Sequence, residues 1–249
     1  MIFLIQTIND EIVHDFSFTL IEAIKYQNWA RSICSSKDFE YRKIERFSDL
    51  NLTRNLDILR SNDSIIPIGT VEFVIDYLKK YYNKTPAPIN IPRDLQQYKY
   101  TKRIVYNSIN EEDFSRCKFP VFVKSDVKIK GFNEIVNTVK ELPDENVFIS
   151  EIVDIYSEWR CFVYNKKLVG LQNYLGHFAL FPDVDLINEM ISTYTESPIA
   201  YTLDVGINEK GTFVIEVHDF FSCGLYGFSD FKILPYMYRD WFKEFVNRK

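Results

Sequence analysis

Residues 201–227 read Y-T-L-D-V-G-I-N-E-K-G-T-F-V-I-E-V-H-D-F-F-S-C-G-L-Y-G. Two alternating runs, Tyr201 to Ile207 and Thr212 to His218, flank Asn-Glu-Lys-Gly, and a three-residue loop with glycine last is a common hairpin connection. Pairing Asn208 with Thr212 sets Ile207 opposite Phe213, Val205 opposite Ile215 and Leu203 opposite Val217, which makes one face wholly apolar. On the other face Asp204 meets Glu216 and Thr202 meets His218. Facing side chains in such a ladder lie roughly 5 Å apart at Cβ, where like charges repel. A bound cation would relieve that repulsion, and magnesium takes carboxylate oxygens together with substrate phosphates. The plain alternative is two solvated carboxylates on the wet face of an edge hairpin.

The whole chain sets the bounds. Its 249 residues suffice for one large domain or two modest ones with a sizeable core. With 46% hydrophobic and 26% charged residues it has the composition of an ordinary globular protein. No apolar run approaches the roughly 20 residues of a membrane span, and Met1 to Ile5 lacks the basic start of a secretory signal. Cys34, Cys117, Cys161 and Cys223 are scattered without a C-x-x-C pair, as expected of reduced thiols in a cytoplasmic protein. A net charge of -5 gives no reason to expect nucleic acid as a partner. His14, His177 and His218 are too far apart in sequence for a histidine-rich metal site.

Upstream, Ile2 to Ile5 is a buried-strand candidate and Phe16 to Tyr26 carries helical apolar spacing. Ile65-Ile66-Pro67-Ile68-Gly69 reads as a strand end, after which Thr70 can cap a helix bearing Phe73, Val74, Tyr77, Leu78 and Tyr81. Thr85 to Pro92 holds three prolines and reads as an extended linker, so a boundary is expected there: a small α/β domain at 1–92 and a second domain at 93–249.

Lys99, Lys102 and Arg103 form a short basic cluster, which can be a solvated face. Phe119 to Lys124 reads as a buried strand ending in lysine, a charge that is costly to desolvate unless it meets an anion such as phosphate. Ser125 to Phe132 follows as a loop that could cover a polyphosphate, and Asn133 is expected to cap a helix through Leu142. Val147 to Val153 is another strand. Glu158 to Tyr164 and Leu168 to Tyr174 form a second hairpin, with Glu158, Arg160 and Phe162 on one face and Trp159, Cys161 and Val163 on the other. Glu158 and Arg160 are open to two readings, a functional acid and base or an exposed ion pair.

Taken in order, these segments resemble the ATP-grasp superfamily: a strand with terminal lysine, a covering loop, a strand ending E-I-V, an E-W-R hairpin, a helix, and D-V-G-I-N-E-K-G-T-F-V-I-E-V-H-D. The resemblance runs from about Arg93 to the C-terminus and is closest to ligases that add amino acids to peptide tails. It implies an α/β (α+β) architecture in which two α+β subdomains grip ATP, with residues 1–92 as the small domain that precedes them. It also implies roles. Lys124 matches the strand lysine at the ATP phosphates, Glu151, Ile152 and Val153 the hinge whose backbone contacts adenine, and Glu158 the acid that accepts ribose hydroxyls. Arg160 matches the arginine aimed at the phosphates or acyl group, and Asp204 and Glu216 the magnesium carboxylates. His218 stands where the family usually has asparagine, which would tilt the site from magnesium toward manganese if the imidazole were a ligand. In that case metal binding should weaken as pH falls between about 8 and 5.5. Gln172-Asn173-Tyr174 lies where relatives often carry a further arginine.

The activity implied is ATP-dependent ligation of a small-molecule or peptide carboxylate to an amine through an acyl phosphate. A non-catalytic nucleotide-binding module and a kinase of the same fold are the alternatives.

Overall fold

The computed structural model describes residues 1–30, 39–45, 65–106 and 117–248. Cys34 lies outside them. Two compact units result, one comprising Met1–Thr85, Pro198–Ala200 and Phe220–Lys249, the other Pro86–Ser197 and Tyr201–Asp219. The expected boundary in the linker and these units part company at the C-terminus, because residues 220–249 pack with the N-terminal unit.

In the first unit β1 (Ile2–Gln6) lies between β2 (Glu40–Ile44) and β3 (Ile65–Ile68), parallel to both. The unbroken apolar runs of β1 and β3 suit a parallel sheet covered on both faces. Helices α1 (Asp15–Ala30) and α2 (Val71–Tyr82) belong to this unit. The Thr70 side chain accepts from the Phe73 amide at 3.2 Å, the N-cap foreseen from sequence. The Asp15 carboxylate accepts from the amides of Phe16, Leu225 and Tyr226, which ties the start of α1 to the C-terminal segment.

The second unit holds two four-stranded sheets. One has the order β4 (Val105–Tyr106), β7 (Val147–Glu151), β5 (Val121–Ser125), β6 (Asn133–Val136). The other has the order β11 (Gly211–Asp219), β10 (Ala200–Asn208), β8 (Ser157–Tyr164), β9 (Lys167–Gly176). Short α3 (Tyr98–Thr101) and α4 (Val184–Thr193) complete the described elements of this unit, with Asp183 capping α4. Trp159, Cys161 and Val163 point into a core with Ile187, Leu203 and Val217. The valines of β5, β6 and β7 close a smaller core with Ile149. Among the described residues no helix is long and apolar enough to cross a membrane.

Two local expectations are corrected. Asn133 does not open a helix: Asn133–Val136 pairs with β5 as an edge strand, and only Val139–Glu141 makes a 3₁₀ turn. Neighbouring β-branched Ile135 and Val136 fit a pleated surface better than a helix, and Val136 fills the small core opposite Val121. The register of the β10–β11 hairpin also differs. Asn208 pairs with Gly211 and Val205 with Val214; a bulge then leaves Ile215 without an opposite residue and restores the expected pairs Asp204–Glu216, Leu203–Val217 and Thr202–His218. Gly211, at φ 97°, supplies the left-handed residue that the tight turn requires.

Candidate active site

Strand pleating builds one wall of the site. Along β5 the side chains of Val121, Val123 and Ser125 are buried, so Phe122 and Lys124 face the other way. Their cross-strand partners share that face: Phe148 and Asn133 beside Lys124, Ser150 and Ile135 beside Phe122. All six line a cavity of about 310 Å³, with Glu151, Ile152 and Val153 at the end of β7 and Ile215 and Glu216 on β11. Consecutive residues of a regular strand point to opposite faces, so Ile215 and Glu216 can both border the cavity only because the bulge falls between them and Val214. Val214, not the expected Phe213 and Ile215, takes the core position.

Arg103 covers this irregularity. Its guanidinium donates to the carbonyls of Val214 at 2.9 Å and Ile215 at 3.5 Å and lies 5.4 Å from the Phe213 ring centre. Burial lowers its pKa to about 10. Lys99, its neighbour in the basic cluster, pairs instead with Glu189 on α4.

At the edge of the cavity the facing carboxylates are neutralised from the protein itself. Arg160 donates to Asp204 through Nε at 2.9 Å and through its terminal nitrogen at 2.7 Å, a two-pronged contact in which Asp204 is 1% and Arg160 8% exposed. Lys124 pairs with Glu216, whose other oxygen lies 2.6 Å from His218 Nε2. The repulsion read from the sequence is thus met by Arg160 and Lys124. Ligand atoms of Asp204, Glu216 and His218 all lie within 4.8 Å of one another, and two carboxylates in that set fit the oxygen preference of magnesium.

Burial lowers the Lys124 pKa to about 8 against the opposing pull of Asp204. It lowers that of His218 to about 4, again against Asp204, while the charges of Lys124 and Arg160 reinforce the shift. A neutral imidazole meets Glu216 with a hydrogen on Nε2, so the pH 5.5 to 8 window expected for this histidine moves to lower pH.

The predicted residues therefore fall into three groups. Lys124, Glu151, Ile152, Val153 and Glu216 line the cavity; Asp204, Arg160 and His218 join it through side-chain contacts with one another or with Glu216. Glu158 stands off: it accepts from the Tyr174 hydroxyl at 2.6 Å, and the Tyr174 ring lies 5.6 Å from the Arg160 guanidinium. Glu151 uses its side chain structurally, accepting from the Ile104 amide at 2.9 Å. Sequence reading missed the cavity roles of Asn90, Asn133 and Ser150. Ser150 and Asn133 had a signal, their pairing across from Phe122 and Lys124, which becomes readable only once the strand order is known.

The model of an ATP-grasp domain family, the second family of its clade, matches residues 100–234, more than half of the chain. The chain belongs to the ATP-grasp superfamily. Solved ATP-grasp structures share its fold at low identity. N5-carboxyaminoimidazole synthetase from Staphylococcus aureus, solved with ADP, superposes with a TM-score of 0.57 at 13% identity, covering 96% of this chain and 77% of its own. N5-carboxyaminoimidazole ribonucleotide synthetase from Thermotoga maritima gives 0.56 at 15%, covering 96% and 75%. A RimK domain ATP-grasp protein from Sphaerobacter thermophilus gives 0.51 at 14%, covering 98% of each chain. Curated protein sequences give no match. The ATP-grasp assignment accounts for a lysine-bearing small sheet set against a carboxylate-bearing hairpin in one unit.

Proposed function

We propose that this ATP-grasp protein is an ATP-dependent ligase that joins a carboxylate to an amine through an acyl phosphate. The observation that supports it most is the ordering of groups around one cavity: apolar side chains and the 151–153 backbone at one part, Lys124 and Glu216 at another, and Asp204, Arg160 and His218 adjoining. Phe122, Ile152 and Ile215 offer apolar surface to a purine, and the backbone of 151–153 offers hydrogen-bonding groups at its edge. Lys124, partly desolvated, would exchange Glu216 for phosphate oxygens.

Asp204 and Glu216 would hold magnesium, which would neutralise charge on the phosphates. Arg160 fixes the orientation of Asp204 and carries positive charge at the same place. In the reaction a substrate carboxylate oxygen attacks the γ-phosphorus and the bond to ADP breaks. The amine then attacks the acyl carbon, phosphate leaves, and the nitrogen gives up a proton. This chemistry needs positioning and charge stabilisation more than a protein nucleophile.

The test is ADP release with mixed carboxylates and hydroxylamine. A hydroxamate formed only with ATP supports the ligase. Phosphorylated alcohol in place of hydroxamate would favour the kinase, and retained ATP binding with no turnover the binding module.

A further inference from the structure

Asn90 has no role in the reading above, yet it is the most tightly held polar side chain on the cavity wall. It sits in the proline-rich linker, is 4% exposed, and adopts a left-handed φ of 52°, which asparagine tolerates better than most residues. Its backbone carbonyl accepts from the Val217 amide at 2.7 Å, between Glu216 and His218. Its Nδ2 donates to the Ser125 carbonyl at 3.2 Å and to Asp126 Oδ1 at 3.0 Å, at the base of the loop that follows Lys124. Both of those partners are acceptors, so the amide cannot be turned over. That leaves Oδ1 buried without a hydrogen-bond partner in a residue that lines the cavity beside Lys124 and Glu216.

We propose that Asn90 is a nucleotide-contacting residue whose Oδ1 accepts a hydrogen bond from an O–H group of the bound complex. Such a group comes from a ribose hydroxyl or from water held on the accompanying cation. A buried acceptor is costly when unpaired, and a carboxamide oxygen among phosphates is favourable only toward a donor. The inference rests on reading the cavity as an ATP site. It adds a linker residue that fastens the loop base to the metal-bearing strand and also touches the ligand.

Calorimetric titrations with ATP, 2′-deoxy-ATP and 3′-deoxy-ATP over a range of magnesium concentrations test it. Asn90→Gly keeps the left-handed backbone accessible and removes the side chain. It is expected to weaken ATP binding three- to tenfold, roughly the worth of one hydrogen bond. If ribose supplies the donor, that loss vanishes with the matching deoxy nucleotide. If water on the cation supplies it, the loss persists with both analogues and the half-saturating magnesium concentration rises.

The paired exchange Asn90→Asp with Asp126→Asn reverses donor and acceptor while leaving an oxygen free, and should bind ATP as the wild type does. Unchanged affinity in Asn90→Gly overturns the proposal, and so does an equal loss for every nucleotide at every magnesium concentration, the behaviour of a brace alone. Should Asn90→Gly not fold, the paired exchange decides, and weakened binding there overturns the proposal. Wild-type protein that binds no ATP would instead sink the ligase reading, and this inference with it.

Discussion

Lys124 carries two opposed requirements. Its charge is desolvated by burial, which brings its pKa to about 8, and that same charge is what a triphosphate would meet. Replacing it in Lys124→Ala should weaken ATP binding by about 1.5 to 3 kcal/mol while the protein remains folded, the usual worth of a charge-assisted contact. The sign of its pH dependence follows from the depressed value. Between about 8 and its unfolded pKa near 10.4 the unfolded chain binds more protons, so this group's contribution to stability rises with pH. Nucleotide affinity moves the other way, because the free protein loses the charge. ATP titrations from pH 7 to 9.5 should show wild-type affinity falling and Lys124→Ala nearly flat; parallel curves would remove Lys124 from the phosphate site.

His218 gives the complementary case at low pH. With a folded pKa of about 4 against roughly 6.5 unfolded, it stays neutral in the native protein while the unfolded chain takes up a proton. Stability is therefore lost as pH falls from about 6.5 to 4, and His218→Asn should remove that part of the loss. Urea unfolding at pH 7 and pH 4.5 checks this. The variant should gain on the wild type at the lower pH, and an equal difference at both would show that another group is responsible.

At the scale of elements, the hairpin depends on close packing across its strands. A Cβ on Gly206 would come within 2.6 Å of the Phe213 ring, the ring that stacks under Arg103. Gly206→Ala should cost about 1 to 3 kcal/mol, as overpacking does, and much less in a Phe213→Ala background. A double-mutant cycle by denaturant unfolding measures the coupling. The D-V-G motif thus has a packing reason that alternation could not reveal, because the pairing read from sequence set Phe213 on the opposite face. Most strands were legible, since β5, β7, β8 and β10 carry apolar periods. The polar edge strand β6 was misread, because four residues of Asn-Glu-Ile-Val carry almost no period of their own. Asp204 and Glu216 were legible as a pair, whereas Arg160 as the partner of Asp204 was not: that contact joins strands adjacent in the sheet but 44 residues apart in sequence.

At the scale of the whole molecule, the two units divide the labour. All the predicted site residues, and Asn90 and Arg103, lie in the unit formed by Pro86–Ser197 and Tyr201–Asp219. A ligand bound there stabilises by mass action, about 2.7 kcal/mol at a hundredfold excess over Kd. Hydrogen exchange with and without magnesium and ATP should accordingly slow amides of β5, β7 and β11, with smaller changes in β1 and β3. Protection concentrated in β1 and β3 would move the nucleotide to the other unit.

The bulge at Ile215 also bears on how such a hairpin can vary in length. Asp204 and Glu216 stand twelve positions apart (216 minus 204), and two geometries span that distance with the same pair face to face. One uses a longer loop and an even ladder; the other, adopted here, uses a tighter turn and one unpaired residue. The spare residue is therefore a unit of slack. A one-residue insertion or deletion near the turn, exchanged for the loss or gain of a bulge, leaves the carboxylates opposed and changes only which side chains beyond them reach the cavity. Chains of this kind can thus drift in turn length and in the residue pressed against the base while the carboxylate pair stays in register.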